Sequence, residues 1–398
     1  MRLKSAILML AGLAAAAAAA PGHLYLTWQG DTATTMTINF HTPGPAPSRV
    51  HYDTLAHGGR RAEYAFAAEG TWRNVPGMGS RWVHGVELRS LRPATTYYAS
   101  VAEGHEIKFR TGPADSAAVR FVVGGDTGVG PAVGPLMARA AAQEPLFAVV
   151  GGDLAYADGR PDNAGLWDEW LGLWCRNMVT PAGYTVPLVA VIGNHEVDGG
   201  YGGRVEDAPF YMGLFAQNGD TTYYSRTFGR YLALVVLDSG HLVAHADQIE
   251  WLEGVLARHA AFPYRLAAYH VPLYPGYRHH EGEYARLGRA HWEPLFDRHH
   301  LTAAFEHHDH TLKRSKRLRG GRPDSDGTLY LGDGCMGRMP RVIETLRPVD
   351  RRRRWYIDHS AGQGHVWLVE ADGVGMRFSA LGADGRVLDA TAVGRPAD

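Results

Sequence analysis

The chain has 398 residues with 45% hydrophobic content, and its 40 Lys and Arg residues nearly balance 41 Asp and Glu residues, for a formal net charge of −1. This balance argues against strong binding of the whole molecule to nucleic acid or anionic lipid. The length predicts two or three domains, and 49 Gly and 22 Pro indicate a globular chain with many loops.

The first 20 residues have the composition of a targeting segment. Met1–Lys4 is basic, and Ala6–Ala20 is an apolar run shorter than the ~20 residues that a membrane-spanning helix needs. We therefore predict a signal peptide over residues 1–20, with a retained anchor as the alternative. The mature protein is expected to be secreted or periplasmic and free of the membrane after cleavage.

Residues 22–112 are predicted to form a β sandwich. Short runs of alternating apolar residues are separated by turns such as Pro43–Pro47, and no segment has helical periodicity. The runs are Leu24–Trp28, Met36–Phe40, Val50–Tyr52, Trp82–Val86, Tyr97–Val101 and Ile107–Phe109. The stretch Leu91–Tyr97 resembles the tyrosine-corner region of a fibronectin type III-like domain. We expect this domain to give support or rim contacts, with independent binding to carbohydrate or a surface as the alternative.

Residues 117–398 are predicted to form an α/β domain after a linker at Thr111–Ser116. Apolar strands alternate with helical segments at residues 134–142, 163–178 and 247–257, and Asp247 is a candidate N-cap of the third helix. This alternation predicts right-handed crossovers and a mainly parallel sheet, with the functional loops gathered at one edge.

Five predicted strands of this domain end in oxygen or nitrogen donors. The five stretches are Phe121–Gly128, Val149–Tyr156, Pro187–Glu196, Leu266–His270 and Thr302–His310. One such stretch alone is better explained as a strand followed by a solvated turn, but five indicate ligands that converge. Carboxylate, phenolate, amide and imidazole donors favour iron, manganese or zinc, and the lack of thiolate donors argues against a structural zinc site.

In this order the five stretches resemble the sequence blocks of the purple acid phosphatases, a family of metallophosphoesterases: DxG, GDxxY, GNH followed by Asp or Glu, VxxH, and GHxH. Two residues depart from the pattern, because Ala267 stands where the family has Val and His307 where it has Gly. His307 is left open as a ligand, a rim contact or a bystander. The resemblance covers nearly the whole mature chain and implies the plant-like type, with a fibronectin III-like sandwich followed by a four-layer α/β metallophosphoesterase sandwich.

The resemblance also implies a binuclear metal centre. The implied ligands are Asp126, Tyr156 and His310 for the first metal, Asn194, His270 and His308 for the second metal, and Asp153 as the bridge between them. The more anionic first position suits Fe(III), and the second suits divalent Fe, Zn or Mn. Two cations about 3.5 to 4 Å apart activate water, so the implied reaction is in-line attack of a metal-bound hydroxide on the phosphorus of a small phosphoester.

His195 is the first candidate for contact with the substrate. The resemblance implies that it faces the phosphate, as the family's GNH histidine does, and a role in orienting Asn194 is the alternative. The backbone N–H groups of Thr127 and Gly128 follow the first carboxylate and are further candidates for contacts with phosphate oxygens.

His279 and His280 are the second set of candidate catalytic residues. They follow His270 at a spacing similar to that of the paired histidines on the substrate rim of plant-like members. Either one is a candidate acid for the departing alkoxide. A flexible, solvated loop is the alternative, because Pro275–Gly276 and Glu281–Gly282 surround the pair.

Two further features are given plain interpretations. The basic runs Lys313–Arg319 and Arg351–Arg354 are predicted to be solvated loop charges, with attraction of anionic substrates as the alternative for the first run. Cys175 and Cys335 are the only cysteines of the chain. An exported compartment allows them to pair, and the sequence leaves open whether they do.

The sequence therefore predicts a secreted binuclear acid phosphatase that hydrolyses phosphate monoesters at mildly acid pH. A phosphodiesterase on the same site is one alternative. The other is an inactive binding protein led by the β sandwich. No nucleic-acid partner is expected, and the oligomeric state is left open.

Overall fold

The computed structural model describes residues 22–395 with the exception of residues 216, 218, 220 and 333. The predicted signal peptide, residues 1–20, lies outside the described residues. Within the described part of the chain, no helix combines the length and the apolar character needed to cross a membrane.

Eight antiparallel strands form the N-terminal sandwich, in two four-stranded sheets with the orders β1-β2-β6-β5 and β4-β3-β7-β8. Their bounds are Gly22–Thr27 (β1), Met36–Thr42 (β2), Arg49–Asp53 (β3), Phe66–Glu69 (β4), Thr71–Arg73 (β5), Trp82–Leu88 (β6), Thr96–Ala102 (β7) and His105–Arg110 (β8). The Tyr97 hydroxyl accepts a hydrogen bond from the backbone N–H of Arg92 at 2.9 Å, which is the contact of a tyrosine corner. The predicted sandwich is confirmed, and its likeness to fibronectin type III domains stays a prediction.

The rest of the chain contains two larger mixed sheets. The six-stranded sheet has the order β11-β10-β9-β20-β21-β22, and the eight-stranded sheet has the order β12-β13-β14-β15-β18-β16-β17, with β19 paired to β16. The bounds are Val119–Gly124 (β9), Ala148–Val150 (β10), Leu188–Ala190 (β11), Tyr224–Phe228 (β12), Leu232–Val236 (β13), Tyr264–Tyr269 (β14), Ala303–Glu306 (β15), Leu312–Arg319 (β16), Arg322–Pro323 (β17), Thr328–Gly332 (β18), Ile357–Ala361 (β19), His365–Ala371 (β20), Gly375–Gly382 (β21) and Val387–Gly394 (β22).

Helices cover the outer faces of these two sheets. Their bounds are Val133–Ala141 (α1), Ala164–Asn177 (α2), Pro209–Leu214 (α3), Ile249–Arg258 (α4), Glu283–His291 (α5), Glu293–Arg298 (α6) and Pro348–Arg352 (α7). Apolar residues of α1 to α3 pack on the six-stranded sheet, and those of α4 and α6 pack on the eight-stranded sheet. Phe121, Val149, Leu234 and Phe305 fill the space between the sheets. The predicted four-layer α/β sandwich is confirmed.

The expectation of a mainly parallel sheet is only partly right. Strands β9 to β11 pair in parallel, as do β13, β14, β15 and β18. The hairpin β12–β13 and the C-terminal strands β20 to β22 add antiparallel strands instead. Helical crossovers connect the parallel neighbours β9 and β10 and likewise β13 and β14, whereas short connections make the hairpin β12–β13 and the strands β20 to β22 antiparallel.

Two local predictions are wrong. Asp247 does not cap a helix, because it lies inside the 3-10 turn His245–Gln248 and α4 begins at Ile249 without a side-chain cap. The basic run Lys313–Arg319 is not a solvated loop, since it lies in β16. The Lys313 ammonium is buried in an ion pair with the carboxylate of Glu306. The carboxylate compensates for the water that the ammonium loses on burial.

Aromatic residues join the N-terminal sandwich to the larger sheets. The Phe228 ring stacks on Phe147 with centroids 3.8 Å apart and meets the edge of Trp28 at 5.6 Å. The Arg226 guanidinium donates a hydrogen bond to the carbonyl of Trp28 at 2.7 Å. The two parts of the chain therefore share one apolar core. No disulfide joins Cys175 and Cys335.

Candidate metal centre

The three predicted ligands of the first metal meet at one point. Asp126 follows β9, Tyr156 lies in the loop after β10, and His310 lies between β15 and β16. Nε2 of His310 is 2.9 Å from Oδ1 of Asp126 and 3.2 Å from the Tyr156 hydroxyl, which is itself 3.4 Å from Oδ1 of Asp126. Three distant parts of the sequence thus each present one donor atom to the same place.

The three predicted ligands of the second metal form a neighbouring group. Nε2 of His270, directly after β14, is 3.1 Å from Oδ1 of Asn194 and 3.1 Å from Nδ1 of His308. The Gly151 carbonyl accepts a hydrogen bond from Nδ1 of His270 at 2.9 Å, so Nε2 faces the other donors and is the nitrogen that can offer a lone pair to a metal.

Asp153 lies against the second group. Its Oδ2 is 3.3 Å from Nε2 of His270, and its Oδ1 accepts a hydrogen bond from the backbone N–H of His195 at 2.9 Å. With His270 and His308 it makes a buried cluster in which one donor atom from each residue lies within 4.8 Å of the others. The negative charge of Asp153 also acts on Tyr156 of the first group. This position suits the predicted bridge.

Five of the seven predicted ligands have left-handed backbone conformations. The φ angles are 50° at Asp126, 53° at Asp153, 60° at Tyr156, 67° at His308 and 50° at His310. Residues other than glycine adopt this conformation at a cost of roughly 1–2 kcal/mol each. Strain concentrated on these residues indicates that the fold holds their side chains in place for a function.

Glu196 supports the loop that carries Asp153. Its carboxylate accepts hydrogen bonds from the backbone N–H groups of Asp153 at 2.7 Å, Leu154 at 2.8 Å and Gly193 at 2.8 Å. Burial and the nearby Asp153 raise the pKa of Glu196, and the N–H donors oppose that rise. The acidic residue after the GNH block therefore joins two ligand-bearing loops.

The donor groups fit metal ions in spacing and in charge. Ligands bound about 2.1 Å from one cation lie roughly 3.0 to 3.4 Å from each other, as the donors of both groups do. Burial lowers the pKa of His270, but the carboxylates of Asp153 and Asp126 outweigh it and raise that pKa to about 9. These carboxylates thus favour a positive charge at this place, and a cation satisfies that preference.

His195 lies beside both groups and is partly exposed. Asp158 accepts a hydrogen bond from its Nδ1, and its ring is tilted on Tyr156 with centroids 4.1 Å apart. Nε2 is 3.8 Å from Oδ2 of Asp153, and the side chain is 35% exposed. A ring fixed in this way can present Nε2 to a bound phosphate.

His279 and His280 are placed differently. No contact among the described residues joins either one to the predicted ligands. The His280 ring lies 6.1 Å from Tyr274 and 5.3 Å from Tyr356 between ring centroids, and the histidine pair lines a cavity of about 630 Å³ with Trp355. Their catalytic role gains no support from these contacts and stays a prediction.

Two arginines beside the donor groups were not predicted from sequence motifs. The Arg338 guanidinium lies 4.2 Å above the Tyr156 ring, and in the described part of the chain it forms no ion pair. Arg278 lies next to the second group, where its Nε is 3.6 Å from Oδ1 of Asp309 and its charge acts on His308. Neither residue belongs to a sequence motif. Each lies in a loop outside the five ligand stretches, and only the folding of that loop brings it to the donor groups.

One alternative for His307 and one pair of candidate phosphate contacts can be excluded. His307 is not a rim contact, because its side chain is 1% exposed; a Cβ added at Gly151 would lie 1.8 Å from its Nε2, so the ring fills space that glycine leaves. The backbone N–H groups of Thr127 and Gly128 are not available to phosphate. They donate to the carbonyls of Asp153 at 3.0 Å and Leu154 at 2.7 Å.

Comparison with known proteins agrees with this geometry. Residues 21–121 match the N-terminal domain of purple acid phosphatases, and residues 119–312 match the calcineurin-like phosphoesterases. Purple acid phosphatase 18 of Arabidopsis thaliana is 24% identical over 336 residues, which are 80% of this chain and 72% of that protein. Purple acid phosphatase 21 of the same plant is 26% identical over 301 residues, which are 72% of this chain and 66% of that protein.

The fold is similar to that of a solved plant structure. Purple acid phosphatase PPD1 from seeds of yellow lupin, Lupinus luteus, superposes with a TM-score of 0.77 at 17% identity, over 94% of this chain and 74% of that one. A four-layer sandwich with these donors at its strand ends defines a metallophosphoesterase, and so a metal-dependent phosphoric ester hydrolase. With its matching N-terminal domain, the chain belongs to the purple acid phosphatase family, which implies a binuclear metal centre.

Proposed function

We propose that this protein is an exported acid phosphatase that uses two metal ions to hydrolyse phosphate monoesters. The proposal is carried by the convergence of seven donors into two groups, with the buried carboxylate of Asp153 next to the second group and acting electrostatically on the first. Asp126, Tyr156 and His310 would hold one ion, Asn194, His270 and His308 the other, and Asp153 both.

A pair of such ions lowers the pKa of water and neutralises the oxygens of the phosphoryl group. The protein's own residues orient the substrate. Asp158 holds the ring of His195 through Nδ1, and when both ring nitrogens carry hydrogen Nε2 can donate to a phosphate oxygen. Arg278 adds positive charge beside His308 and Arg338 adds it beside Tyr156, which favours a dianionic monoester over a monoanionic diester.

Tyr156 is the basis for proposing Fe(III) in the first position. Burial and then the carboxylates of Asp126 and Asp153 raise the pKa of this phenol far above its usual range. A phenolate at this place therefore needs a highly charged cation beside it. The second group has neutral Asn194, His270 and His308, which suit divalent Fe, Zn or Mn.

Export and the role of the sandwich are also proposals. The apolar, basic-led composition of residues 1–20 supports a signal peptide and a secreted or periplasmic location. The shared core with the larger sheets supports a structural role for the sandwich, because Trp28 packs on Phe228.

The test is a side-by-side assay of purified, metal-analysed protein on an aryl phosphate monoester and the matching diester. We expect two metal ions per chain, faster hydrolysis of the monoester, and loss of both activities after metal removal. Faster hydrolysis of the diester would make the protein a phosphodiesterase. Two bound metals without hydrolysis of either ester would favour the inactive binding protein.

A further inference from the structure

His241 is a buried histidine beside the metal centre to which no motif assigns a role. Oδ1 of Asp238 accepts a hydrogen bond from its backbone N–H at 2.7 Å, and its carbonyl accepts one from Gly203 at 2.8 Å. Its ring centroid is 5.6 Å from that of His270, and its ring stacks on Tyr201 at 4.9 Å. These contacts hold the ring in one place next to the second donor group.

The hydrogen bonds of His241 define which ring nitrogen carries the lone pair. The Gly200 carbonyl lies 2.9 Å from Nδ1, and a carbonyl only accepts, so Nδ1 carries the hydrogen. Nε2 is then an acceptor. It is buried, and among the described residues no side chain or backbone group bonds to it. A buried acceptor without a donor lowers stability, so its retention here calls for a partner supplied by the site.

The same arrangement occurs in the neighbouring predicted ligand. Nδ1 of His270 also donates to a backbone carbonyl, that of Gly151, and its Nε2 faces the other donors. Backbone hydrogen bonding at one nitrogen is how proteins orient the other toward a metal site. His241 is not one of the three residues of the compact Asp153–His270–His308 cluster, so its contact with the site is indirect.

We propose that Nε2 of His241 accepts a hydrogen bond from a water molecule at the second metal position and so strengthens the binding of that metal. The proposal rests on the proposed two-metal function. His241 would be a positioning residue, acting through the water and not on the substrate. Its loss is expected to weaken the second metal by about 10- to 100-fold, the usual effect of removing such a partner.

The experiment measures the affinity of metal-depleted protein for Zn²⁺ at each of two sites, with metal analysis and without an activity assay. His241→Asn retains a side-chain N–H near the position of Nδ1 but has no acceptor at Nε2, and we expect weaker binding at one site only. His241→Gln places an acceptor near Nε2 and should retain most of the affinity. His245→Asn is the matched control. His245 is also buried, and its ring nitrogens have no hydrogen bond among the described residues, but its ring packs on Trp292 with centroids 4.3 Å apart.

The outcomes separate this inference from the proposed function. Wild-type protein that binds fewer than two Zn²⁺ ions would contradict the two-metal function itself. If the wild type binds two ions and the Asn variant binds both as tightly, the role of His241 is wrong. If the Asn variant does not fold, His241→Phe decides, because it also removes the acceptor. Zn²⁺ binding by that variant as tight as in the wild type, or equally weakened at both sites, would overturn the proposal.

Discussion

The guanidinium of Arg354 donates a hydrogen bond to the carbonyl oxygen of Arg278 at 2.7 Å. It also bonds the carbonyls of Gly276 and Tyr277, while Asp309, between two predicted ligands, accepts from the N–H of Tyr277 at 2.8 Å. The loop that carries Arg278 is thus held from both sides. One residue of the basic run Arg351–Arg354 is therefore buried and structural, contrary to the prediction of solvated charge.

Replacing Arg354 with Met should disturb this loop. The guanidinium loses three charge-assisted hydrogen bonds to this loop and one to the Asp350 carbonyl. We therefore expect the free energy of unfolding to fall by about 2 kcal/mol or more and KM to rise as Arg278 moves. Thermal unfolding and steady-state kinetics on a monoester measure the two effects. Arg353→Met is the control, because Arg353 is exposed and should change neither. Equal behaviour of the two variants would refute the role of Arg354.

Asp153→Asn should abolish the metal centre. The substitution removes an anionic oxygen from each predicted metal position, so we expect loss of both ions and more than about 100-fold loss of hydrolysis. Metal analysis after dialysis and an assay on a monoester check this result. Two tightly held metals with near-normal turnover would mean that Asp153 is not the bridge.

Tyr156→Phe should remove the colour of the iron-loaded protein. A phenolate bound to Fe(III) transfers charge to the metal and absorbs visible light, whereas phenylalanine cannot. The other six predicted ligands remain, so part of the activity should survive. A visible spectrum with iron content measured on the same sample is the test. An iron-containing wild type without a visible band would exclude Tyr156 as a ligand.

Arg278 and His280 should behave differently when replaced with Ala. Loss of a charge-assisted contact of about 1.5–3 kcal/mol predicts a rise in KM of roughly 10- to 100-fold for Arg278→Ala.

His280→Ala should mainly lower thermal stability, since the ring packs near Tyr356. Steady-state kinetics on an alkyl and an aryl phosphate test this role. If His280→Ala loses activity only on the alkyl ester, His280 is the acid that protonates the leaving group.

His84 should make the sandwich sensitive to acid. Burial lowers its pKa from 6.5 to about 4, while Thr42 and Ser48 bond its two ring nitrogens at 2.8 Å. Between these pH values the unfolded chain binds a proton that the folded chain does not, so stability falls as pH falls from about 6.5 to 4 and is unaffected above that range. His84→Gln should flatten this dependence of Tm on pH. The exposed His105→Gln should not, and an unchanged profile in His84→Gln would show that His84 does not titrate on unfolding.

The types of donors and their order along the chain were predictable without a structure. A strand followed at once by Asp126 or Asp153 is a local pattern, and the periodicity of the surrounding residues separates strands from helices. The tyrosine corner at Tyr97 is equally local. The mixed sheets were less predictable, because strand direction depends on whether the connection is a helix or a hairpin.

The sequence by itself determined the two-part fold and the family and predicted the seven donors, because each motif depends on residues within a few positions of one another. Only the tertiary structure decided which neighbours surround those donors. Arg278 and His241 reach the metal centre through loops held by distant partners, Arg354 and Gly200, whose hydrogen bonds have no periodicity or spacing in the chain. His280 is the opposite example. Its spacing from His270 matches a family pattern, but its ring lies near Tyr356 and contacts none of the predicted ligands among the described residues. Side-chain environment is set by long-range packing, and sequence spacing alone does not encode it.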